Sequence, residues 1–403
     1  MLDQDDHRSL AQRLDLWHFE EEAPGMVFWH PRGYLLYQLL EGAARARVRA
    51  DGYSEVRTPQ ILRRPVWEAS GHWQHFQGGM FRVADDAGEA AVKPVSCPGH
   101  IQIVESKAPS YRDLPIKLAE FGVVHRDEPG GTLHGLLRLR QFTQDDGHVF
   151  CSEEHVPAEL DRFLRSLRPF YAAFGFDAID FALSTRPPER AGDDALWDWA
   201  EDALRAALDR LAVPVALQEG GGAFYGPKIE LSLQDRMGRR WQCGTIQLDL
   251  VMPRRFDLRY VGAGGDRRHV VMLHRALYGS LERFLGVLLE HHRGKLPPWL
   301  SPEQVRILPV ASAHKAYSDE VRRSLSDAGL RVEVDDRDES LGRRIAEAHA
   351  GAVPFVAVLG EREQKDRAVA LRDRRGQRSM PLAEALGELR AACAPPDFAA
   401  SPG

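Results

Sequence analysis

Cysteine is scarce in this chain of 403 residues, which contains only Cys97, Cys151, Cys243 and Cys393. They lie too far apart in sequence to resemble a disulfide framework or a CxxC metal knuckle, so a reducing cytoplasm is the simplest setting. Long apolar runs are lacking too, and none approaches the length of a membrane span. The N-terminus is acidic. We therefore expect a cytoplasmic protein that crosses no membrane and is complete from its first residue.

An excess of positive charge is also lacking, because 53 Lys and Arg residues oppose 59 Asp and Glu residues and the net charge is -6. Such a chain lacks the overall positive charge that is typical of nucleic-acid-binding proteins, so any contact with RNA would have to use local arginine clusters. The length and a hydrophobic content of 43% indicate an ordinary globular protein with two or three domains.

A polar strand is the most informative stretch that is present. The residues from Arg138 to Phe150 are predicted as a strand, on which alternate side chains point to the same face. That face carries cations, an amide, a carboxylate and an imidazole, namely Arg138, Arg140, Phe142, Gln144, Asp146 and His148. The row suits a small zwitterionic or phosphorylated ligand, and an exposed sheet edge whose charges meet water would account for it equally well.

Two further residues, Cys97 and Arg126, lie at positions that suit a catalytic or ligand-binding role. Cys97 lies between two prolines and next to Gly99-His100, which predicts a tight turn that holds the thiol rigidly, as a metal ligand or nucleophile requires. A buried structural cysteine is the more common explanation for such a residue. Arg126 lies at the end of a predicted strand over 118–127, just before a glycine-rich loop, and can clamp a carboxylate or phosphate bidentately, although an exposed salt bridge would use the same residue.

A glycine and an arginine follow the strand that ends at His274. Gly279 and Arg283 are expected one turn apart on a helix, a pairing that suits a phosphate or purine but also a packing glycine beside a solvated arginine. The glycine-rich segment 220–228 has neither the spacing of a P-loop nor that of a dinucleotide fingerprint. We therefore assign it no nucleotide-binding role from its pattern.

Hydrophobic periodicity predicts the domain organisation. Helices are expected over residues 7–20, 33–50, 157–176 and 193–211, with strands between them. A proline-rich boundary follows at 297–302, and beyond it strands alternate with helices, which predicts a small α/β domain with a largely parallel sheet. We accordingly divide the chain into residues 1–300 and 301–403.

Nearly the whole chain resembles the threonyl-tRNA synthetases, a family of class II aminoacyl-tRNA synthetases. The resemblance is carried, in family order, by residues 21–30, 96–100, 125–129, 142–148, 223–228, 242–245 and 274–283. It implies an α+β catalytic domain over 1–300, with an antiparallel sheet and flanking helices, followed by an α/β anticodon-binding domain over 301–403. It also implies ATP-dependent activation of threonine and its transfer to the terminal adenosine of tRNA(Thr).

The resemblance also implies the cofactors and the site residues. One zinc ion per subunit would be held by Cys97, His148 and His274, and Mg²⁺ would accompany ATP. The residues that match positions around ATP are Arg126, Glu128, Arg138, Gln242 and Arg283, of which Arg126 and Arg283 would stabilise phosphate charge. Those that match positions around threonine and the terminal adenosine are Asp146, Gln144, Tyr225, Lys228 and Gln247. His72 would assist proton transfer from the 2′-hydroxyl, and Glu363 and Arg372 would contact anticodon bases.

The chain departs from the family at several positions. Asp338 stands where asparagine is usual and, when ionised, cannot donate the hydrogen bond of an amide. Val95 replaces methionine and Gln141 replaces glycine, and both are expected to alter the pocket walls slightly. The chain also begins at the catalytic domain, so we expect no editing domain. A missing methyl group is worth only about 1–3 kcal/mol, which predicts some charging of serine and dependence on a separate trans-editing protein.

The resemblance leaves the assembly and some alternatives to be tested. It implies a homodimer formed through the first long helix and the strand around Val56. One alternative is a threonine-adenylating enzyme that serves a carrier protein or a biosynthetic acceptor, against which the anticodon-type domain argues. Another is a non-catalytic regulator on a synthetase fold, against which the retained ligands and arginines argue. A specialised duplicate of a housekeeping enzyme would have the same sequence features.

Overall fold

The computed structural model describes residues 3–86, 88–235 and 237–400. The chain divides into two compact units, each assembled from separate segments. The large unit comprises Phe19–Val27, Leu40–Val287 and the residues from Phe398 onward. The small unit comprises the residues up to His18, together with Phe28–Leu39 and Leu288–Asp397.

The helices follow the apolar periodicity of the sequence, although several begin or end earlier than expected. In chain order they are α1 (His7–Leu14), α2 (Pro31–Ala50), α3 (Arg64–Ser70), α4 (His72–His75), α5 (Cys97–Glu105), α6 (Val156–Ala172), α7 (Asp194–Leu211), α8 (Met252–Arg255), α9 (Leu281–His292), α10 (Lys315–Asp327), α11 (Leu341–Ala350), α12 (Glu361–Asp366) and α13 (Leu382–Cys393).

The strands are short at the edges of the sheets and long at their centres. In chain order they are β1 (Trp17–His18), β2 (Phe28–Trp29), β3 (Ser54–Glu55), β4 (Ile61–Arg63), β5 (Arg82–Asp85), β6 (Gly88–Val92), β7 (Ile116–His125), β8 (Gln141–Cys151), β9 (Ile179–Ser184), β10 (Val215–Gln218), β11 (Lys228–Gln234), β12 (Arg240–Asp249), β13 (Arg259–Val261), β14 (Arg267–His269), β15 (Val271–Ala276), β16 (Val305–Pro309), β17 (Val332–Val334), β18 (Phe355–Leu359), β19 (Ala368–Asp373) and β20 (Gly376–Pro381).

The large unit is built on an eight-stranded sheet with the strand order β10-β9-β11-β12-β15-β8-β7-β3. Neighbouring strands are antiparallel except at the two ends, where β10 pairs with β9 and β3 pairs with β7 in parallel. This antiparallel sheet with helices before and after its strands confirms the predicted fold class. The central pairing of β15 with β8 places His274 directly opposite His148.

Helix α5 corrects the tight turn that was predicted around Cys97, because Cys97 is the first residue of this helix. Proline and glycine usually break helices, yet Pro98 lies in the first turn, where its missing N–H has no helical partner to lose. Ile101 and Val104, which follow Cys97 on the same face of α5, join it and Leu118 of β7 in one buried cluster. Full burial of each such side chain contributes about 1.5–3 kcal/mol, which holds the Cys97 end of the helix against the sheet.

Strand β8 begins later than the sequence predicted. The chain before it forms short 3-10 turns at Gly130–Thr132 and Gly135–Leu137, so Arg138 and Arg140 lie outside the strand. The turns satisfy their own backbone groups, and the N–H of Arg140 donates to the carbonyl of Gly25 at 2.9 Å instead of to the ladder. The two arginines therefore do not belong to the row of side chains on the strand face.

Within β8 the predicted alternation holds from its second residue. Phe142, Gln144 and Asp146 are half-buried and share one face, whereas Thr143 and Asp145 are buried on the other. Towards the end of the strand both of its faces are covered by other parts of the large unit, and residues 147–151 are all buried. The polar face is therefore not a solvated sheet edge, because β8 lies between β15 and β7.

The N-terminal helix is shorter than the predicted span of 7–20. Asp15 adopts a left-handed conformation with φ of 57° and its N–H donates to the carbonyl of Ala11, which ends α1 at Leu14. The strand around Val56 is β3, which lies at the edge of the large sheet, pairs with β7 at Ser54–Glu55 and ends before Pro59, as a proline that lacks an N–H donor requires.

The small unit contains a five-stranded sheet with the order β17-β16-β18-β19-β20. Its first three strands are parallel, but β18 pairs with β19 and β19 with β20 in antiparallel fashion. The prediction of a largely parallel sheet therefore holds for β16, β17 and β18 but missed the two antiparallel strands that follow them. Charged residues dominate the turn between β19 and β20, and β20 itself is largely polar, which hid this strand from a search for apolar runs, whereas β19 begins with four buried apolar residues.

No helix among the described residues is long and apolar enough to span a membrane.

Candidate active site

A cavity of about 320 Å³ opens beside strands β8 and β12 of the large unit. Its wall includes all the residues that were predicted to contact ATP and one predicted to contact the amino acid, namely Arg126, Glu128, Arg138, Gln242, Arg283 and Gln144. Leucines from the turns before β8 supply the apolar part of the wall. Concave sites that combine apolar walls with a few charged groups are typical of small-ligand pockets.

Arg126 follows β7 and is held from three sides. Its Nε donates to the carbonyl of Pro94 at 3.3 Å, and its guanidinium carbon lies 5.1 Å from the ring centre of Phe142 and 5.7 Å from that of Phe76. Burial lowers the pKa of Arg126 below its usual value, but a guanidinium stays charged at neutral pH. The arrangement presents a half-buried, oriented cation to the cavity.

Glu128 connects two of the arginines on the opposite wall. Its carboxylate accepts from Nε of Arg138 at 3.1 Å, and its backbone carbonyl accepts from Nε of Arg140 at 2.8 Å. The side chain of Arg138 is 53% exposed, so this ion pair is screened by water and can exchange for a ligand phosphate at little cost.

Arg283 enters the cavity from the first turn of α9. Its Nε donates to the carbonyl of Leu137 at 3.1 Å. Gly279 lies in the turn before this helix and not on it, which corrects the prediction that the two residues occupy one helix. Its φ is 75°, and a Cβ atom there would lie 2.5 Å from the carbonyl oxygen of Cys243, so only glycine fits.

Two buried carboxylates tie this turn to strand β8. Asp145 accepts from the backbone N–H groups of Leu277, Tyr278 and Gly279 at 2.6, 3.0 and 3.0 Å. Glu282 accepts from the N–H of Thr143 at 2.9 Å. These bonds satisfy three backbone donors of the turn and one of β8, and they fix the position from which Arg283 extends.

The pKa of Glu282 makes a prediction about stability. Burial raises this pKa to about 7, although hydrogen bonds from Thr143 and Ser280 act in the opposite direction and lower it. The folded state therefore holds this proton more tightly than the unfolded chain, and the free energy of unfolding falls as pH rises from about 4.5 to 7. We expect Glu282→Gln to remove roughly 1–3 kcal/mol of this decline, measured by urea unfolding at pH 5 and 8. Equal declines in the variant and the parent would contradict the assignment.

Cys97, His148 and His274 converge in a buried cluster, as the resemblance implied. Their Sγ and ring nitrogen atoms lie within 4.8 Å of one another. Nε2 of His148 and Nδ1 of His274 face each other at 3.1 Å. One thiol and two imidazoles are the soft and intermediate donors that Zn²⁺ prefers, and three protein ligands leave a fourth position open.

The surroundings of His274 fit a metal ligand. Its Nε2 lies 2.9 Å from a carboxylate oxygen of Asp249, which has no exposed surface. An ionised carboxylate only accepts, so this contact directs the proton to Nε2 and leaves the lone pair of Nδ1 towards Cys97 and His148. Burial raises the pKa of the Cys97 thiol in the absence of a cation, and a bound metal would reverse that effect by stabilising the thiolate. The donor set therefore fits zinc.

Three of the residues that were predicted to contact the substrate threonine lie beside this cluster, namely Asp146, Tyr225 and Gln247. Asp146 lies two residues before His148 on the same face of β8. The hydroxyl of Tyr225 donates to Oε1 of Gln247 at 2.7 Å, and the Tyr225 ring centre lies 5.0 Å from that of His274. Lys228 is paired in register with Gln247 and forms an ion pair with Glu230. Burial raises the pKa of Tyr225, so its phenol stays protonated.

His72 lies in α4 and is buried. Its Nδ1 is 2.9 Å from the hydroxyl of Ser70, and aromatic rings including Phe224 pack edge-on against it. Burial lowers its pKa to about 3, with the charges of His274 and Arg126 as smaller causes. The ring is therefore neutral at physiological pH, and it lies close enough to His274 and Arg126 for their charges to affect it.

The predicted anticodon residues belong to the small unit. The carboxylate of Glu363 accepts from the N–H of Gly360 at 3.0 Å and caps α12. Arg372 is half-buried on β19, opposite Val356 of β18 and Gln377 of β20. Glu363 thus belongs to the helix that precedes β19, and Arg372 belongs to β19 itself.

Sequence reasoning missed several buried polar residues, notably Asp249, His100 and Glu120 beside the cluster and Asp145 beside the Gly279 turn. Each contacts a residue that is distant in sequence, so no spacing could reveal it. One available signal was an ionisable residue inside an otherwise apolar strand, since Asp249 ends β12 and Glu120 interrupts β7.

Comparison with known proteins identifies two domains. Residues 81–292 match the tRNA synthetase class II core domain (G, H, P, S and T), and residues 304–392 match an anticodon binding domain. The crystal structure of the RNA binding domain of threonyl-tRNA synthetase from Cryptosporidium parvum is similar, with a TM-score of 0.93 and 39% identity, covering 97% of this chain and 99% of that one.

Sequence relatives point the same way. The chain is 48% identical over 372 residues to a threonine--tRNA ligase of Dichelobacter nodosus and 49% identical over 397 residues to one of Caulobacter sp.. These matches cover 92% and 98% of this chain but 58% and 60% of those proteins, so the chain spans about three fifths of their length. The chain therefore belongs to the class II tRNA synthetases, in the family of threonyl-tRNA synthetases.

Proposed function

We propose that this chain is a threonine--tRNA ligase, which forms threonyl adenylate from threonine and ATP and transfers threonine to the terminal adenosine of tRNA(Thr). The observation that carries the proposal is the convergence of Cys97, His148 and His274 near a cavity lined by Arg126 and Arg283. A metal cluster that can select an amino acid and a pair of arginines that can bind phosphates are the two parts that this reaction needs. The names of the sequence relatives agree with it.

The selectivity for threonine is assigned to the buried cluster. Zinc held by Cys97, His148 and His274 would bind the amino and hydroxyl groups of the substrate and thereby favour threonine over valine, which has no hydroxyl. Asp146, on the same strand face as His148, would accept a hydrogen bond from the bound amino acid. Gln144 and the hydrogen-bonded pair of Tyr225 and Gln247 would form the walls around it.

The chain's own arginines would supply the electrostatics of adenylate formation. The carboxylate of threonine attacks the α-phosphate of ATP, and negative charge accumulates on phosphate oxygens as pyrophosphate departs. Arg126, which aromatic rings and Pro94 hold in place, would stabilise the α-phosphate, and Arg283 would bind towards the γ-phosphate. Glu128, Arg138 and Gln242 would complete the ATP site, and Mg²⁺ that accompanies ATP would supply further positive charge to the phosphates.

Transfer to tRNA is assigned to His72 and to the small unit. A neutral His72 accepts a hydrogen bond from the 2′-hydroxyl of the terminal adenosine and thereby orients it, while Lys228 contacts the same end of the tRNA. With a pKa of about 3 the ring is a weak base, so its contribution is expected to lie in positioning the hydroxyl. Glu363 and Arg372 would contact anticodon bases. A cytoplasmic homodimer is part of this proposal.

The experiment that tests the proposal compares threonine, serine and valine in parallel. We expect the 403-residue polypeptide to catalyse pyrophosphate exchange and charging of tRNA(Thr) with threonine, to accept serine, and to ignore valine. Serine should be disfavoured by only roughly 10–200-fold, because it lacks only a methyl group, and valine by roughly 10⁴-fold or more. Sedimentation of the same preparation tests the homodimer.

The outcomes separate the candidate functions. Activation of threonine without charging of tRNA would favour a carrier or biosynthetic acceptor, and absence of activation would favour a non-catalytic regulator. Seryl-tRNA(Thr) that persists in the assay would support the need for a trans-editing protein. If ample serine yields no seryl-tRNA(Thr), that partner is not required.

A further inference from the structure

A chain of buried polar residues extends away from the metal cluster behind His148. Nδ1 of His148 lies 2.7 Å from Nδ1 of His100, and Nε2 of His100 lies 3.2 Å from a carboxylate oxygen of Glu120. None of the three side chains is more than 2% exposed. His100 lies one helical turn after Cys97 in α5, and Glu120 lies diagonally across from His148 on β7. Neither has a role in the mechanism described above.

The far end of this chain keeps Glu120 a pure acceptor. Nζ of Lys93 donates to Oε1 at 2.7 Å and the N–H of Thr58 donates to the same oxygen at 3.0 Å, while the Thr58 hydroxyl donates to Oε2 at 2.8 Å. Burial opposes ionisation, but these bonds and the one from His100 outweigh it and lower the pKa of Glu120 to about 2. An ionised carboxylate cannot donate, so the proton between Glu120 and His100 belongs to Nε2 of His100.

The proton on Nε2 of His100 then determines which nitrogen of each histidine ring donates. A neutral His100 that donates through Nε2 has a bare lone pair on Nδ1, which can only accept. The facing Nδ1 of His148 must therefore carry its proton and donate. That leaves Nε2 of His148 unprotonated, and this is the atom that faces His274 in the cluster.

We propose that Glu120 and His100 are positioning residues that hold His148 in the tautomer whose Nε2 lone pair points at the metal position. Asp249 performs the same task for His274 through a direct contact. With both tautomers set, two lone pairs face each other at 3.1 Å, an arrangement that is repulsive without a cation between or beside them. The chain Lys93–Glu120–His100 thus prepares the site to receive an ion. The inference rests on the zinc site in the proposed function.

The test is the variant Glu120→Gln. Its side chain has nearly the same shape as glutamate, but its NH₂ group donates a hydrogen bond where a carboxylate oxygen accepted one. Lys93 and the Thr58 N–H both require an acceptor, so the amide oxygen will take the Oε1 position and the NH₂ group will face His100. His100 then accepts at Nε2 and donates from Nδ1, and His148 must place its own proton on Nε2, towards the metal. We expect a 10–100-fold loss of zinc affinity, measured by competition with a chromophoric chelator.

Glu159→Gln is the matched control. Glu159 is a buried glutamate paired with Lys117 of β7, at 2.6 Å, but it has no contact with the cluster. Both variants lose a buried Lys–Glu ion pair, so both should lower the thermal unfolding temperature, whereas only Glu120→Gln should weaken zinc binding and alter the visible spectrum of the Co²⁺-substituted protein. If the two variants bind zinc as tightly as the parent, the positioning role is wrong.

A second variant keeps the inference testable if Glu120→Gln does not fold. His100→Phe retains a ring of similar size, leaves the other three contacts of Glu120 in place and removes the acceptor for His148. It should weaken zinc binding by a similar factor, and unchanged affinity would overturn the inference. Failure of the parent protein to bind zinc would instead overturn the proposed metal site, and the inference with it, so the two failures are distinguishable.

Discussion

The His148→Ala variant is expected to lose bound zinc and threonine activation together. Removal of one of three buried ligands leaves only Cys97 and His274, whereas a catalytic zinc ion needs three protein ligands and one open position. A metal that binds the reacting substrate contributes several kcal/mol, so activation should fall by roughly 10³-fold or more. Zinc content by elemental mass spectrometry and pyrophosphate exchange with threonine measure the two losses on one sample.

A second histidine of the large unit provides the control for this variant. His155 hydrogen-bonds the hydroxyl of Ser152 at 2.8 Å before helix α6 and is half-buried. His155→Ala removes a ring of the same size and one hydrogen bond, and it should retain zinc and exchange activity within about twofold because it removes no ligand. Full activity or stoichiometric zinc in His148→Ala would reject the ligand assignment.

Replacement of Arg126 is expected to have the second largest effect. The guanidinium is held between Phe142 and Phe76 by ring contacts and fixed by Pro94, so it needs no rearrangement when phosphate charge develops. Loss of one such preorganised charge costs roughly 10²–10³ in rate. We expect Arg126→Ala to lower kcat for pyrophosphate exchange by this factor, with a smaller change in the KM for threonine.

Two comparisons sharpen this result. Arg126→Lys keeps the charge but loses the planar fork that can bind two phosphate oxygens, so its kcat should fall between those of the parent and Arg126→Ala. Arg210→Ala removes an exposed arginine that pairs with Asp161 at 2.8 Å on the surface, where such pairs contribute about 0–1 kcal/mol. It should leave kcat unchanged. A loss of less than about threefold in Arg126→Ala would contradict the proposed phosphate role.

Some parts of the fold were predictable because their signals are local. The long helices α2, α6 and α7 follow from apolar residues that recur with the helical period, and their bounds agree with prediction to within a few residues. Helix α7 also has a capping signal, since Asp193 accepts from the N–H of Leu196. The mixed sheet of the small unit was not predictable in the same way, because β20 is a largely polar strand and carries no apolar run.

The site was predictable in its residues more than in its geometry. Cys97, His148 and His274 stood out through their resemblance to family motifs, and their spacing in the chain gave no reason to group them. The backbone around Cys97 was mispredicted, because proline and glycine residues there indicate a turn when they are read alone. A helix forms nevertheless, since Pro98 lies in its first turn and the apolar side of α5 is buried against the sheet.

Family, fold class and most helix positions could be established from the amino-acid order, because motifs and periodicity are encoded in residues that are close together along the chain. The donors and acceptors behind the metal cluster required the folded chain. Glu120, His100 and Asp249 contact their partners across 20 to 48 residues of sequence, and their contacts exist because β7, β8, β12 and β15 lie side by side in the sheet. A proton's position on a histidine ring depends on such neighbours, and strand pairing decides which neighbours there are.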